Sequence, residues 1–179
     1  FAGQTAKTKA DRNGRWKVWL RPMKANSTGR ELKVISGVDS TLIRDVLVGE
    51  VWFSGGQSNM GYTVDGMARR LPEGKALADA ADFNGIRYRK VNEKNSPTPQ
   101  TDLTGGDWVV CNLKTVHGIS GVGFVYARRL HLELKVPIGI IDCAWGGTPI
   151  EPYIPIEAFT DHPTLKRLAA LAKVGDVEA

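Results

Sequence analysis

The residues best suited to chemistry lie in V-W-F-S-G-G-Q-S-N-M-G, positions 51–61. Three apolar residues read as a buried strand, and Gly55 and Gly56 then deliver Ser58, flanked by Gln57 and Asn59. A serine hydroxyl at a strand-to-helix turn suits nucleophilic acyl transfer. A small residue filling a tight turn is the competing reading of the same position.

A second glycine pair, Gly146 and Gly147, stands in A-W-G-G-T-P-I-E, positions 144–151. In open parallel sheets, ligands gather at the carboxyl ends of strands. If the two strands are neighbours, Ser58 and the amides of Gly146 and Gly147 face one crevice. Amides at a helix start beside two glycines are suited to holding an oxyanion. The same stretch also spells a capping box, with Thr148 as cap, Pro149 at the first helical position and Glu151 reaching back to a backbone amide. Two other templates for the first segment fail on residue type. A phosphate-cradling loop needs Gly-Lys before its Ser or Thr, and no lysine is present. The nucleophile elbow of α/β-hydrolases needs glycine on both sides of the serine, and Met60 stands where the second would be.

The elements that must position these residues follow from patterning. Asp11 to Gly14 (D-R-N-G) reads as a hairpin-type turn leading into an alternating strand from Arg15, and E-L-K-V-I-S (31–36) gives a second strand. T-L-I-R-D-V-L-V-G-E-V-W-F-S (41–54) is nearly continuously apolar, as expected of a strand in a sheet covered on both faces. Residues 71–82 read as a short helix with Pro72 in its first turn. G-I-R-Y-R-K-V (85–91) reads as a strand, and G-D-W-V-V-C-N (106–112) as another short one. From Ser120, the spacing of Val122, Val125, Tyr126, Leu130 and Leu134 predicts a helix capped by Ser120 and closed before Pro137. V-P-I-G-I-I-D-C-A-W (136–145) is then a β-branched strand. This alternation of strands and helices implies an α/β layered fold with a largely parallel sheet.

Composition narrows the class. The 179 residues are 42% hydrophobic and 24% charged, an ordinary globular balance, and no apolar run is long enough to span a bilayer. The net charge of +5 invites a nucleic-acid partner. The basic residues are dispersed, however, and their densest cluster, Arg87 to Lys94, alternates as the solvated face of an edge strand would. No nucleic-acid motif accompanies it. Cys111 and Cys143 lack metal-ligand spacing and are read as free thiols or a single disulfide.

Together, G-E-V-W-F-S-G-G-Q-S-N-M, I-R-Y-R-K-V and the run from Ser120 to Glu151 resemble the sialate O-acetylesterase family of carbohydrate esterases, within the SGNH-hydrolase superfamily. The resemblance covers nearly the whole chain. It implies a three-layer flavodoxin-like sheet with helices on both faces (residues 46–179), preceded by part of a small β-rich accessory domain (residues 1–45). It makes Ser58 the nucleophile, gives the oxyanion hole to the amides of Ser58 and Gly146 with Gly147 alongside, and assigns Gln57 and Asn59 supporting roles. It implies no metal or organic cofactor, an acetylated sugar or polysaccharide as substrate, no nucleic-acid or membrane partner, and an extracytoplasmic location.

Two family features have no match here. The Q-G-E-x-N type segment, whose asparagine completes the oxyanion hole, is absent. The late aspartate–histidine pair ending in His-Pro is mimicked only by Asp161, His162 and Pro163. That position follows W-G-G-T-P-I-E too closely, and Asp161 reads as the cap of a helix that Pro163 enters. His117 reads as a loop residue and His131 as a surface residue beside Arg128 and Arg129. The expectation is therefore the nucleophile half of an esterase, with the histidine block on a missing C-terminal segment or a second chain. A non-catalytic carbohydrate-binding protein on the same scaffold is the alternative, with Trp108, Trp145 and Tyr153 stacking on sugar rings.

Overall fold

The structure is a computed structural model that describes residues 1–94, 96, 100, 102–160 and 165–167. It is built from two sheets. Strands β1 (Asn26–Ser36) and β2 (Asp39–Val48) pair antiparallel through a two-residue connection at Gly37 and Val38. Both strands are largely exposed, in keeping with their many polar residues. The strand expected from Arg15 is not formed. Residues 15–25 have no regular structure, and the D-R-N-G turn closes on itself. There the Asp11 carboxylate accepts from the Asn13 and Arg15 amides.

The second sheet has the order β3-β6-β4-β5. Strands β3 (Glu50–Ser54), β4 (Phe83–Lys90) and β6 (Ile138–Asp142) run parallel, and β5 (Val109–Cys111) closes one edge antiparallel to β4. The fold is thus of the α/β class, with a largely parallel sheet. The apolar stretch 41–54 is not one strand. Gly49 divides it between the two sheets, where a Cβ would fall 2.1 Å from the Pro137 carbonyl oxygen. Nor is β4 an edge strand: β6 and β5 flank it. Its two arginines leave the core face and are nonetheless engaged, Arg87 with Asp45 of β2 at 2.7 Å and Arg89 with the Gly106 carbonyl at 3.1 Å.

Helices α1 (Ser58–Gly61), α2 (Val64–Arg70), α3 (Pro72–Asp79), α4 (Gly121–Leu134) and α5 (Ile156–Thr160) complete the described elements. Helices α2, α3 and α4 share one core with the sheet, in which Val64, Ala78, Phe124 and Ala127 meet Ile86, Tyr88, Ile138 and Ile140. Alternation along β6 and β4 puts these four sheet residues on the helix-covered face. Helix α4 begins and ends where expected, with the Ser120 side chain accepting from the Gly123 amide at 3.1 Å. Gly121, Gly123, Phe124 and Ala127 face inward, while Val122, Val125, Tyr126 and Leu134 are exposed. Gly121 lets the helix lie close to α2, where a Cβ would stand 2.6 Å from the Met67 sulfur, and Gly123 lets it lie close to the sheet. A Cβ on Gly123 would already touch Ile140 at 3.6 Å.

The opposite face of the sheet carries Val51 and Phe53, 62% and 63% exposed. Trp108 lies over Gly139 beside Val51, with ring atoms 3.3 Å from where a Gly139 Cβ would stand. Strand β3 is therefore not the buried strand that its composition suggested.

Candidate active site

The parallel pairing of β3 with β6 sets Ser54 level with Asp142. Both chains then turn at the same carboxyl edge of the sheet, where open α/β sheets place their sites. The two glycine-bearing segments expected to meet do so. The Trp145 amide donates to the Gly56 carbonyl at 2.9 Å, and the Cys143 amide to the Ser54 carbonyl, also at 2.9 Å. Tyr153 adds a 2.6 Å bond from its hydroxyl to the Gly56 carbonyl and a 3.2 Å bond to that of Cys143. Tyr153 thus ties the two turns together, and its hydroxyl is committed to backbone rather than to a sugar.

Gly56 is required by this turn. Its φ is +134°, and a Cβ would stand 2.8 Å from Cγ of Met60. Beyond it, Gln57 precedes Ser58 at the start of the four-residue α1, and Gln57, Ser58 and Asn59 are all exposed. The Ser58 hydroxyl donates to Oε1 of Gln57 at 2.6 Å. The same oxygen accepts from the Gly147 amide at 3.4 Å, so Gln57 bridges the serine and the second glycine pair. Gly146 lies closest to the serine: a Cβ built on it would be 3.9 Å from Ser58 Oγ. Ser58, Tyr62, Thr63, Lys90, Glu93 and Gly146 line a cleft of about 400 Å³.

The capping box at Thr148 is not formed. Thr148 donates its hydroxyl to the Trp145 carbonyl at 2.6 Å, closing the turn, and the short 3-10 helix Glu151–Tyr153 has no side-chain cap. Glu151 Oε2 is buried and has no hydrogen-bond partner among the described residues.

A polar network beneath the turn escaped sequence reasoning. Asp142, at the end of β6, is buried, and its Oδ1 accepts from the Ala144 amide at 2.9 Å. Its Oδ2 accepts a short bond from the Tyr88 hydroxyl and a 3.2 Å charge-assisted bond from Lys90. Burial, and then the bond to Asp142, pushes the Tyr88 phenol far above its ordinary range. An acid closing the apolar run I-G-I-I-D was the one available signal. Lys90 had been read as part of a solvated basic face.

The histidines take other places. His117 is exposed on the 3-10 turn Val116–Gly118. His131 is not a free surface residue: Nδ1 lies 2.7 Å from the Val136 carbonyl, and the ring meets Phe83 edge-on. Asp161, His162 and Pro163 lie outside the described residues. Cys111 and Cys143 are both free thiols. Trp108 packs on the sheet at Gly139, as described above.

Comparison with known proteins bears on what such a turn is for. No family model matches the chain. It is similar to the sialate O-acetylesterases of Rattus norvegicus, at 34% identity over 146 residues, and of Homo sapiens, at 32% over 148. These matches cover 76% and 77% of this chain. Among solved structures, a carbohydrate acetylesterase from Xanthomonas citri superposes with a TM-score of 0.80 at 35% identity, covering 87% of this chain. The chain belongs to the sialate O-acetylesterase family. This family member spans about a quarter of the length of those curated relatives, 26% and 28%, and 35% of the Xanthomonas chain.

Proposed function

We propose that this chain supplies the nucleophile half of a serine-dependent O-acetylesterase acting on acetylated sugars, of the sialate 9-O-acetyl or acetylxylan type. The observation that carries the proposal is the meeting of Ser58 and the Gly146 turn at one cleft. In this mechanism Ser58 Oγ attacks the acetyl carbonyl carbon and loses its proton to a histidine supplied from outside the described residues, on a C-terminal segment or a second chain. The oxyanion that forms rests on the amides of Ser58 and Gly146, with Gly147 beside them. The bond to the sugar oxygen then breaks, the histidine returns the proton to that oxygen, and water releases acetate from the acyl-serine. Gln57 and Asn59 shape the turn rather than react.

A division of the chain is part of the same proposal. Residues 1–45 are proposed as part of a small β-rich accessory unit, and residues 46–179 as the amino-terminal part of an SGNH-type hydrolase domain working outside the cytoplasm. Without a histidine base, serine attack lacks a contribution of roughly two to four orders of magnitude in rate. The test uses a protein that spans the length of its relatives. A fluorophosphonate should label Ser58 and fail to label Ser58→Ala, and the same variant should lose hydrolysis of p-nitrophenyl acetate. Equal hydrolysis by Ser58→Ala would end the proposal.

A further inference from the structure

The Gly146 amide can serve as an oxyanion donor only if the 143–147 turn holds it still beside Ser58, and the turn's rigidity has an identifiable source. The peptide units on both sides of Ala144 are gripped by one ion pair. The carboxylate of Asp142 accepts from the Ala144 amide at 2.9 Å, and the ammonium of Lys90 donates to the Ala144 carbonyl at 2.8 Å. Lys90 and Asp142 also bond one another at 3.2 Å, which closes a small ring around the residue two positions before Gly146. Ala144 itself is buried.

The register makes the ring possible. Lys90 is the last residue of β4 and stands directly opposite Asp142, the last residue of β6. The Val91 amide donates to the Asp142 carbonyl at 2.7 Å, so the two strand ends are also joined through backbone. The Lys90 side chain is 41% exposed and lines the cleft beside Ser58, whereas that of Asp142 is only 2% exposed. Lys90 therefore reaches from the open cleft down to a buried carboxylate. Of its three N–H donors, two have acceptors among the described residues.

We infer that Lys90 is a positioning residue: its ammonium locks the Asp142 carboxylate and the Ala144 carbonyl together, and so holds the Gly146 amide in place beside Ser58. The inference rests on the proposed roles of Ser58 and Gly146 and assigns the device that aligns them. A displacement of about 1 Å in such a constellation costs on the order of a hundredfold in rate. Loss of the clamp therefore belongs in kcat, because the hole is needed only when charge develops on the substrate oxygen.

The experiment compares Lys90→Met, Lys90→Gln and Ser58→Ala in a protein spanning the length of its relatives, with p-nitrophenyl acetate as substrate and thermal melting as the check on folding. Lys90→Met should lower kcat about 10- to 100-fold while KM stays within about twofold of the parent. Lys90→Gln keeps an amide donor without the charge and should lose less, about tenfold at most and clearly more than twofold. A Lys90→Met variant that melts with the parent and turns over within twofold of it overturns the inference, as does a loss confined to KM. If Lys90→Met does not fold, Lys90→Gln decides in its place, and a parent-like kcat there overturns the inference. Activity retained by Ser58→Ala would instead remove the nucleophile reading on which this rests. An inactive Ser58→Ala beside a fully active Lys90→Met removes the Lys90 role alone.

Discussion

The hydroxyl of Ser58 donates to the side-chain oxygen of Gln57 at 2.6 Å, and that oxygen is the one the Gly147 amide approaches at 3.4 Å. Gln57 thus holds the serine hydroxyl and reaches across to the second glycine pair. In the proposed mechanism the hydroxyl must swing from Gln57 to a base, while the amide oxygen keeps its hold on Gly147. Gln57→Ala should therefore lower kcat/KM by about tenfold in a protein spanning the length of its relatives, leaving Ser58 labelled by a fluorophosphonate at a reduced rate. A labelling rate equal to the parent's would show that Gln57 does not position the serine.

Gly56, in the turn before Ser58, accepts a side chain poorly. At φ +134° an alanine would be strained, and its Cβ would meet the Met60 side chain at 2.8 Å. Gly56→Ala should cost about 1–3 kcal/mol, read from urea unfolding, and should slow labelling of Ser58 beyond what the stability loss explains.

Ser120 serves two elements at once. Its side chain accepts from the Gly123 amide at the start of α4 and donates to the Met60 carbonyl within α1 at 2.5 Å. Ser120→Ala should cost about 1–2 kcal/mol for the lost cap. Hydrogen exchange should rise at the amides of residues 58–62 as well as at those of 121–124. Faster exchange confined to α4 would mean that the Met60 bond contributes nothing.

Alkali should destabilise the fold through its buried acids. Burial, and then the charge of Asp82, pushes the Cys111 thiol from about 9 up to about 11. The folded state thus favours the neutral thiol. Its contribution is complete below about pH 9 and is lost as pH rises through about 11, a change on the order of 2 kcal/mol. Tyr88 shifts in the same direction. Urea midpoints measured from pH 8 to 11 should fall, and Cys111→Ala should flatten part of that fall. Alkylation of Cys111 at pH 8 should wait for unfolding.

Much of the site was legible because glycines mark where backbone must turn. Gly55, Gly56, Gly146 and Gly147 located both turns, and the order of strands and helices put them at one sheet edge. What the sequence hid was which side of each element faces inward. The apolar spacing of Val122, Val125 and Tyr126 located helix α4 but not its buried side, which consists of Gly121, Gly123, Phe124 and Ala127. Local apolarity could not tell β3 from a fully covered strand either, because coverage is decided by neighbours distant in sequence. The Lys90–Asp142 clamp was invisible for the same reason: its partners are 52 residues apart and meet only through strand register.

Strand β3 stands at the end of the described sheet, with Val51 and Phe53 open to solvent, and it is the strand that leads into Ser58. A ladder of amides with no partner strand among the described residues, backed by a valine and a phenylalanine, is a template for adding foreign strands. The approach to the proposed nucleophile and the exposed edge of the described sheet therefore share one short segment, V-W-F. Substitutions chosen to probe the serine should be screened for aggregation first, since a loosened β3 would remove protein from solution before it removed activity.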